Sequence, residues 1–161
     1  HPYPDGLDDA WQAYNWLLYE SHRYFKIKRR KRLILVGDSA GANLIIGITN
    51  LCLLTGTPLP YTLVTYYPCT CLLNQGVSFD VKRFTPSYVN VINNPMIPYE
   101  FLSFCAEAYI QRPEFNNECD YFMQPIYTPL GILSRFPPIH IYQGEKDPLH
   151  DHTVRFGLRL K

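Results

Sequence analysis

The 161-residue chain has no run of 18 consecutive apolar residues, which argues against a membrane-spanning helix. Its nearest candidate, Leu44 to Leu54, is broken by Gly47, Thr49 and Asn50 and reads as a buried helix. Charged residues are scarce, at 18%, against 47% hydrophobic and 15% aromatic, so a disordered tail or a fibre is excluded. A net charge of +1 leaves no broad nucleic-acid footprint. The five cysteines (Cys52, Cys69, Cys71, Cys105 and Cys119) are odd in number and irregularly spaced, a poor disulfide framework. Cys69 and Cys71 lack a second cysteine pair or a nearby histidine, so zinc is not implied. Reduced, buried thiols in a cytoplasmic protein are the expectation. No phosphate loop with lysine and no ligand cluster at metal spacing occurs, so no cofactor is implied. A secretory signal pattern and internal repeats are also missing.

What is present reads as an α/β order. Leu7 to Tyr24 has the spacing of a helix, with Leu7, Ala10, Tyr14, Leu17 and Leu18 on one apolar face. Lys26 to Arg32 carries six basic residues in seven positions, a solvated turn or a contact for an anionic surface. Leu33 to Val36 is a short continuous apolar run, expected of a strand buried on both faces of a parallel sheet. A polar, glycine-rich turn follows, then a helix from about Ala42 to Leu54. Tyr61 to Tyr67 reads as a second strand, Phe101 to Ile110 as a helix and Ile139 to Tyr142 as a third strand. Thr153 to Lys161 is a final helix, and an Asn- and Pro-rich loop runs to about Ile132. Three parallel strands are few for a doubly wound sheet, so the order implies elements beyond this segment.

The chemistry concentrates at Gly37-Asp38-Ser39-Ala40-Gly41, a Gly-x-Ser-x-Gly pattern between a buried strand and a helix. Such a sharp turn lifts a serine hydroxyl out of the sheet, and Gly37 and Gly41 are expected to relieve collisions between strand and helix. The helix N-terminus places unpaired N–H groups beside the serine, with the Ala40 N–H as the first oxyanion donor. A serine needs a base, and the base a carboxylate that orients it. Asp147 fits the acid, in the turn leaving Ile139 to Tyr142, with Glu145 as the local competitor. None of the histidines fits the base: His1 and His22 precede the serine, His140 lies within a strand, and His150 and His152 follow Asp147 too closely. The aromatics Phe84, Tyr88, Phe101 and Phe104 could line an apolar groove or serve as core.

Gly37 to Leu44 closely resembles the serine motif of the hormone-sensitive lipase family of α/β-hydrolases. His1-Pro2-Tyr3-Pro4 with Leu7 to Ala10, Tyr67-Pro68, Asp120 to Pro125, Phe136 to Pro138 and Asp147 to Leu149 with Asp151 resemble further family segments in the same order. The resemblance covers nearly the whole chain, and about residues 72–113 form a variable insertion within one partial domain, 1–161. It implies a partial α/β-hydrolase fold with a mostly parallel sheet flanked by helices. It also implies that the N-terminal strands, an upstream His-Gly-Gly oxyanion segment and the strand with the histidine loop lie outside this sequence. Ser39 then matches the nucleophile, Asp147 the acid and Ala40 an oxyanion donor in carboxylic ester hydrolysis. The chain alone is expected to be weakly active or inactive. The implied partners are a small-molecule or lipid ester, with a lipid surface, a second copy or a complementary segment as further candidates. A non-catalytic interaction or assembly subunit is the alternative.

Overall fold

Short runs of aliphatic and β-branched residues pair into one parallel sheet, and its register decides which side chains meet. The computed structural model describes residues 1–26, 32–72, 86–90, 96–111 and 120–161. Strands β1 (Ile34–Asp38), β2 (Thr62–Tyr66) and β3 (Ile139–Tyr142) lie side by side in that order. Ile34 pairs with Thr62 and Asp38 with Tyr66, while Leu63 pairs with Ile139 and Tyr66 with Tyr142. Side chains alternate along a strand, so Leu35, Gly37, Leu63, Thr65, Ile139 and Ile141 share one face. Ile34, Val36, Asp38, Val64, Tyr66, His140 and Tyr142 share the other.

The first face is covered. Helix α3 (Ser39–Thr55) packs on β1 and β2 and is apolar nearly all round, as a helix enclosed by neighbours must be. Ile46 joins Leu133 and Phe156 in a core cluster that takes in Phe136, Ile139 and Ile141. A second cluster, of Tyr3, Leu7, Tyr14, Ile48, Cys52 and Met123, lies between α3 and helix α1 (Asp5–Tyr19). Gly56 ends α3 at φ 72°, a left-handed position where glycine carries no Cβ penalty.

Several sequence expectations shift. The first helix ends at Tyr19, and a separate turn, α2 (Ser21–Tyr24), follows. At the break the Ser21 hydroxyl donates to the Leu17 carbonyl at 2.6 Å. Leu17 is exposed rather than on the apolar face. Helix α3 starts three residues before the expected Ala42, and strand β1 runs on to Asp38. Strand β1 is not buried on both faces: Ile34 and Val36 are 54% and 61% exposed, because the helices packed on the sheet lie on its other side.

Between β2 and β3 lie α4 (Pro86–Asn90), α5 (Tyr99–Tyr109), a 3-10 turn (Pro125–Tyr127) and α6 (Leu130–Leu133). The last two replace the expected loop, with Pro125 opening the turn and Pro129 preceding α6. Helix α7 (His150–Arg159) begins three residues before the expected Thr153. No helix among the described residues is long and apolar enough to cross a membrane.

Candidate active site

All three strands run the same way, so their C-terminal ends share one edge of the sheet, and the candidate residues gather there. Ser39 stands at the junction of β1 and α3 with φ 49°, the left-handed region that L-residues avoid. A conformation of this kind costs about 1–3 kcal/mol and persists only where its surroundings impose it. Gly37 is part of that imposition. A Cβ there would lie 2.6 Å from the Gly41 carbonyl oxygen and 2.8 Å from the Ala42 nitrogen, both backbone atoms. Gly41 does not share the role expected of it. A Cβ at Gly41 would meet only Asp38 Oδ1, at 3.8 Å, so the close approach is made by position 37 alone.

Ser39 and Ala40 are exposed at this edge. No side chain caps the start of α3, although Asp38 occupies the capping position. The Asp38 carboxylate instead accepts a 3.4 Å hydrogen bond from the Tyr67 hydroxyl. The first N–H groups of α3, Ala40 among them, therefore keep their capacity to bind an anion.

Asp147 lies in the turn after β3, half-buried, with Oδ1 accepting the Leu149 N–H at 2.8 Å. Its backbone N–H donates to the Gly144 carbonyl at 3.3 Å, and its carbonyl accepts the His150 N–H at 3.0 Å. Glu145, the competitor, is exposed in the same turn. Strands β1 and β3 flank β2, so the two turns leave the sheet about 10 Å apart at the usual strand spacing.

The turn after β2 stitches them together. The Tyr67 N–H donates to the Tyr142 carbonyl at 2.7 Å, and the Cys69 N–H donates to the Ser39 carbonyl at 3.2 Å. Thr153 of α7 donates its hydroxyl to the Pro68 carbonyl at 3.2 Å. Tyr67, at φ 37°, is the second left-handed non-glycine residue at this edge among those described. Asp38 first, then burial and Asp147, push its phenol above the ordinary range. Asn43, buried in the first turn of α3, donates to the Cys69 and Met123 carbonyls, both at 2.8 Å. Sequence reading singled out neither Tyr67 nor Asn43 as an individual residue. A polar residue amid an apolar helix was the available signal for Asn43; tyrosine gives no signal for a left-handed turn.

Among the described residues no histidine ring hydrogen-bonds Ser39 or the Asp147 carboxylate. His1 pairs with Asp9 at 2.6 Å, far along the chain from the elbow. His140 is exposed on β3, and His22 is half-buried on α2. His150 Nδ1 lies 3.2 Å from the Gly144 carbonyl. His152 is buried, and burial, with the nearby Arg155 charge, holds its imidazole below the usual range against the opposing pull of Asp151.

The expected thiols are mixed. Cys52 is buried, Cys69 and Cys71 are half-buried and Cys105 is exposed, each a thiol outside any disulfide; Cys119 lies outside the described residues. Burial pushes the Cys52 thiol up to about 11. No cluster of three or more metal-ligating side chains occurs among the described residues. Of the groove candidates, Phe101 and Phe104 are exposed, whereas Phe84 and the Tyr88 side chain lie outside the described residues. So does the middle of the basic run, residues 27–31.

A family profile for the α/β hydrolase fold matches residues 1–161. The chain is 29% identical over 154 residues to carboxylesterase NlhH of Mycobacterium tuberculosis, covering 94% of this chain and 44% of that protein. It is 30% identical over 108 residues to mouse hormone-sensitive lipase, covering 67% of this chain and 13% of that protein. Among solved structures, carboxyl esterase 2 of Tuber melanosporum superposes with a TM-score of 0.85 at 24% identity, over 99% of this chain and 48% of the esterase. The chain spans less than half the length of these curated relatives.

Proposed function

From a chain that belongs to the hormone-sensitive lipase family of α/β-hydrolases, we propose a serine carboxylic ester hydrolase whose nucleophile is Ser39 and whose triad acid is Asp147. The observation that carries the reading is Ser39 at φ 49°, between Gly37 and the uncapped start of α3, one strand away from the Asp147 turn.

Ser39 Oγ attacks the ester carbonyl while its proton passes to a histidine base. The tetrahedral oxyanion is held by the Ala40 N–H together with donors outside this chain. Collapse expels the alcohol, which takes the proton from the histidine, and leaves an acyl group on Ser39. Water, deprotonated by the same base, then releases the acid. Asp147 orients the base. Because no described imidazole bonds Ser39 or the Asp147 carboxylate, the base comes from polypeptide beyond this sequence or from a partner, and this chain alone is weakly active or inactive. The substrate is a small-molecule or lipid ester.

A fluorophosphonate probe, with intact-mass detection of the adduct, tests the reading on this chain and on Ser39→Ala. Stoichiometric labelling that is lost in the alanine variant supports a competent nucleophile. If a folded chain stays unlabelled even when polypeptide carrying the complementary family segments is added, the reading fails. The missing base would then favour a non-catalytic interaction or assembly subunit.

A further inference from the structure

Helix α7 starts immediately beyond the Asp147 turn, yet its own sequence provides no cap, since Leu149 occupies the capping position. The cap comes from a residue 64 positions upstream. The Asp151 N–H donates to the Ser87 hydroxyl at 3.2 Å, and the Ser87 N–H donates in return to Asp151 Oδ2 at 2.8 Å. The Ser87 hydroxyl also donates to the Pro148 carbonyl at 3.2 Å. This is the reciprocity of a capping box, made between two segments remote in sequence rather than within one turn.

Its location gives it meaning. Pro148 follows Asp147 directly, and both Pro148 and Leu149 are buried. The turn is thus held twice: from within, by Asp147 Oδ1 on the Leu149 N–H, and from outside, by Ser87. Ser87 sits in α4, within the stretch that the sequence marks as a variable insertion.

We propose that Ser87 and Asp151 form a latch through which α4 fixes the position of the Asp147 turn. Both are positioning residues acting through that turn. The consequence for ester hydrolysis rests on the assignment of Asp147 made above. A change in the insertion would then reach the acid through two side chains, without altering the elbow.

The test uses the full chain with Ser87→Ala, Asp151→Ala, the double variant, the conservative Ser87→Thr, and Ser134→Ala on an unrelated exposed hydroxyl as control. Two signals are read: amide hydrogen exchange over residues 147–153 and the 13C resonance of the Asp147 carboxyl group. Each single alanine variant at the latch should speed exchange there by about 2- to 30-fold, the range that loss of an N-cap gives. Exchange within α3 should stay unchanged, the double variant should go no further than the larger single one, and Ser87→Thr should restore protection. The Asp147 resonance should move in the same variants and not in Ser134→Ala. Unchanged exchange over 147–153 would overturn the latch, as would additive effects of the two substitutions. Faster exchange with an unmoved Asp147 resonance would reduce it to a local cap, and the proposal would fall. Failure of the catalytic reading shows separately, as a wild-type Ser39 that no fluorophosphonate labels even with the complementary family segments added, while the latch signals behave as expected.

Discussion

The two faces of the sheet are built from similar residues and live in different surroundings. On one, Leu63 and Thr65 are fully enclosed beneath α3, and Ile139 and Ile141 meet Phe156 and Leu133. On the other, Ile34, Val36, Tyr66 and Tyr142 are exposed, and the Tyr66 and Tyr142 rings stack on each other at 5.1 Å. Parallel sheets ordinarily carry helices on both faces, and continuous apolar strands are their mark. The run Leu33-Ile34-Leu35-Val36 therefore encodes two covering layers, of which the described residues form one. An apolar run reports what a strand is suited to meet, and burial reports what it does meet.

The largest expected effect breaks the comparison if the two faces are not as different as they look. Leu63→Ala removes a fully buried side chain from the covered face and should cost about 2–5 kcal/mol of stability, the range for such truncations in packed cores. Val36→Ala, one strand away on the open face, should change stability by no more than about 0.5 kcal/mol, as half-exposed surface positions do. Urea denaturation of both variants decides it. Equal losses would mean that the open face is covered in solution.

A smaller effect sharpens the same contrast at the elbow. Gly37 belongs to the covered face, and a methyl group there meets backbone atoms that cannot swing aside. Gly37→Ala should lower stability by about 1–3 kcal/mol, as overpacking does, and should abolish labelling of Ser39 if the elbow moves. Gly41→Ala meets nothing closer than 3.8 Å and lies within a helix, where alanine is favoured over glycine by up to about 1 kcal/mol. It should be neutral or stabilising. Thermal melts of the pair would refute the asymmetry if the two glycines proved equally intolerant.

The elements that sequence made legible are those written in local pattern. The bounds of β3 agree residue for residue, and the centre of α3 follows from its apolar run. The elbow could be read because glycine, serine and glycine at fixed offsets state a backbone requirement in residue types. Tyr67 shows the opposite case. Its left-handed backbone occurs where its N–H bonds Tyr142 and its hydroxyl bonds Asp38, and nothing in a tyrosine announces that. Ser87 and Asp151 were illegible as a pair because the bond between them spans 64 residues, beyond any local period. The short helical pieces around Pro125 and Leu130 were hidden by prolines, which read as loop although Pro125 here opens a helical turn.

The last prediction concerns pH and returns to the covered side. His152 is buried in α7, and its imidazole is held below its ordinary range, by burial first and by Arg155 next, with Asp151 opposing. Above pH about 6.5 the ring is neutral in both folded and unfolded chains, and it makes no difference to stability. As pH falls through that value the unfolded chain takes up a proton that the folded chain resists, so folding weakens. The loss continues down to the folded-state value and then levels off, because both states are protonated below it. Urea midpoints measured between neutral and mildly acidic pH should therefore fall more steeply for the wild-type chain than for His152→Gln, which cannot take up that proton. Substitution at His140, exposed on the other face, serves as the internal comparison. Identical pH slopes in the wild-type and His152→Gln chains would show that water reaches His152, and that the covered side is looser than its packing implies.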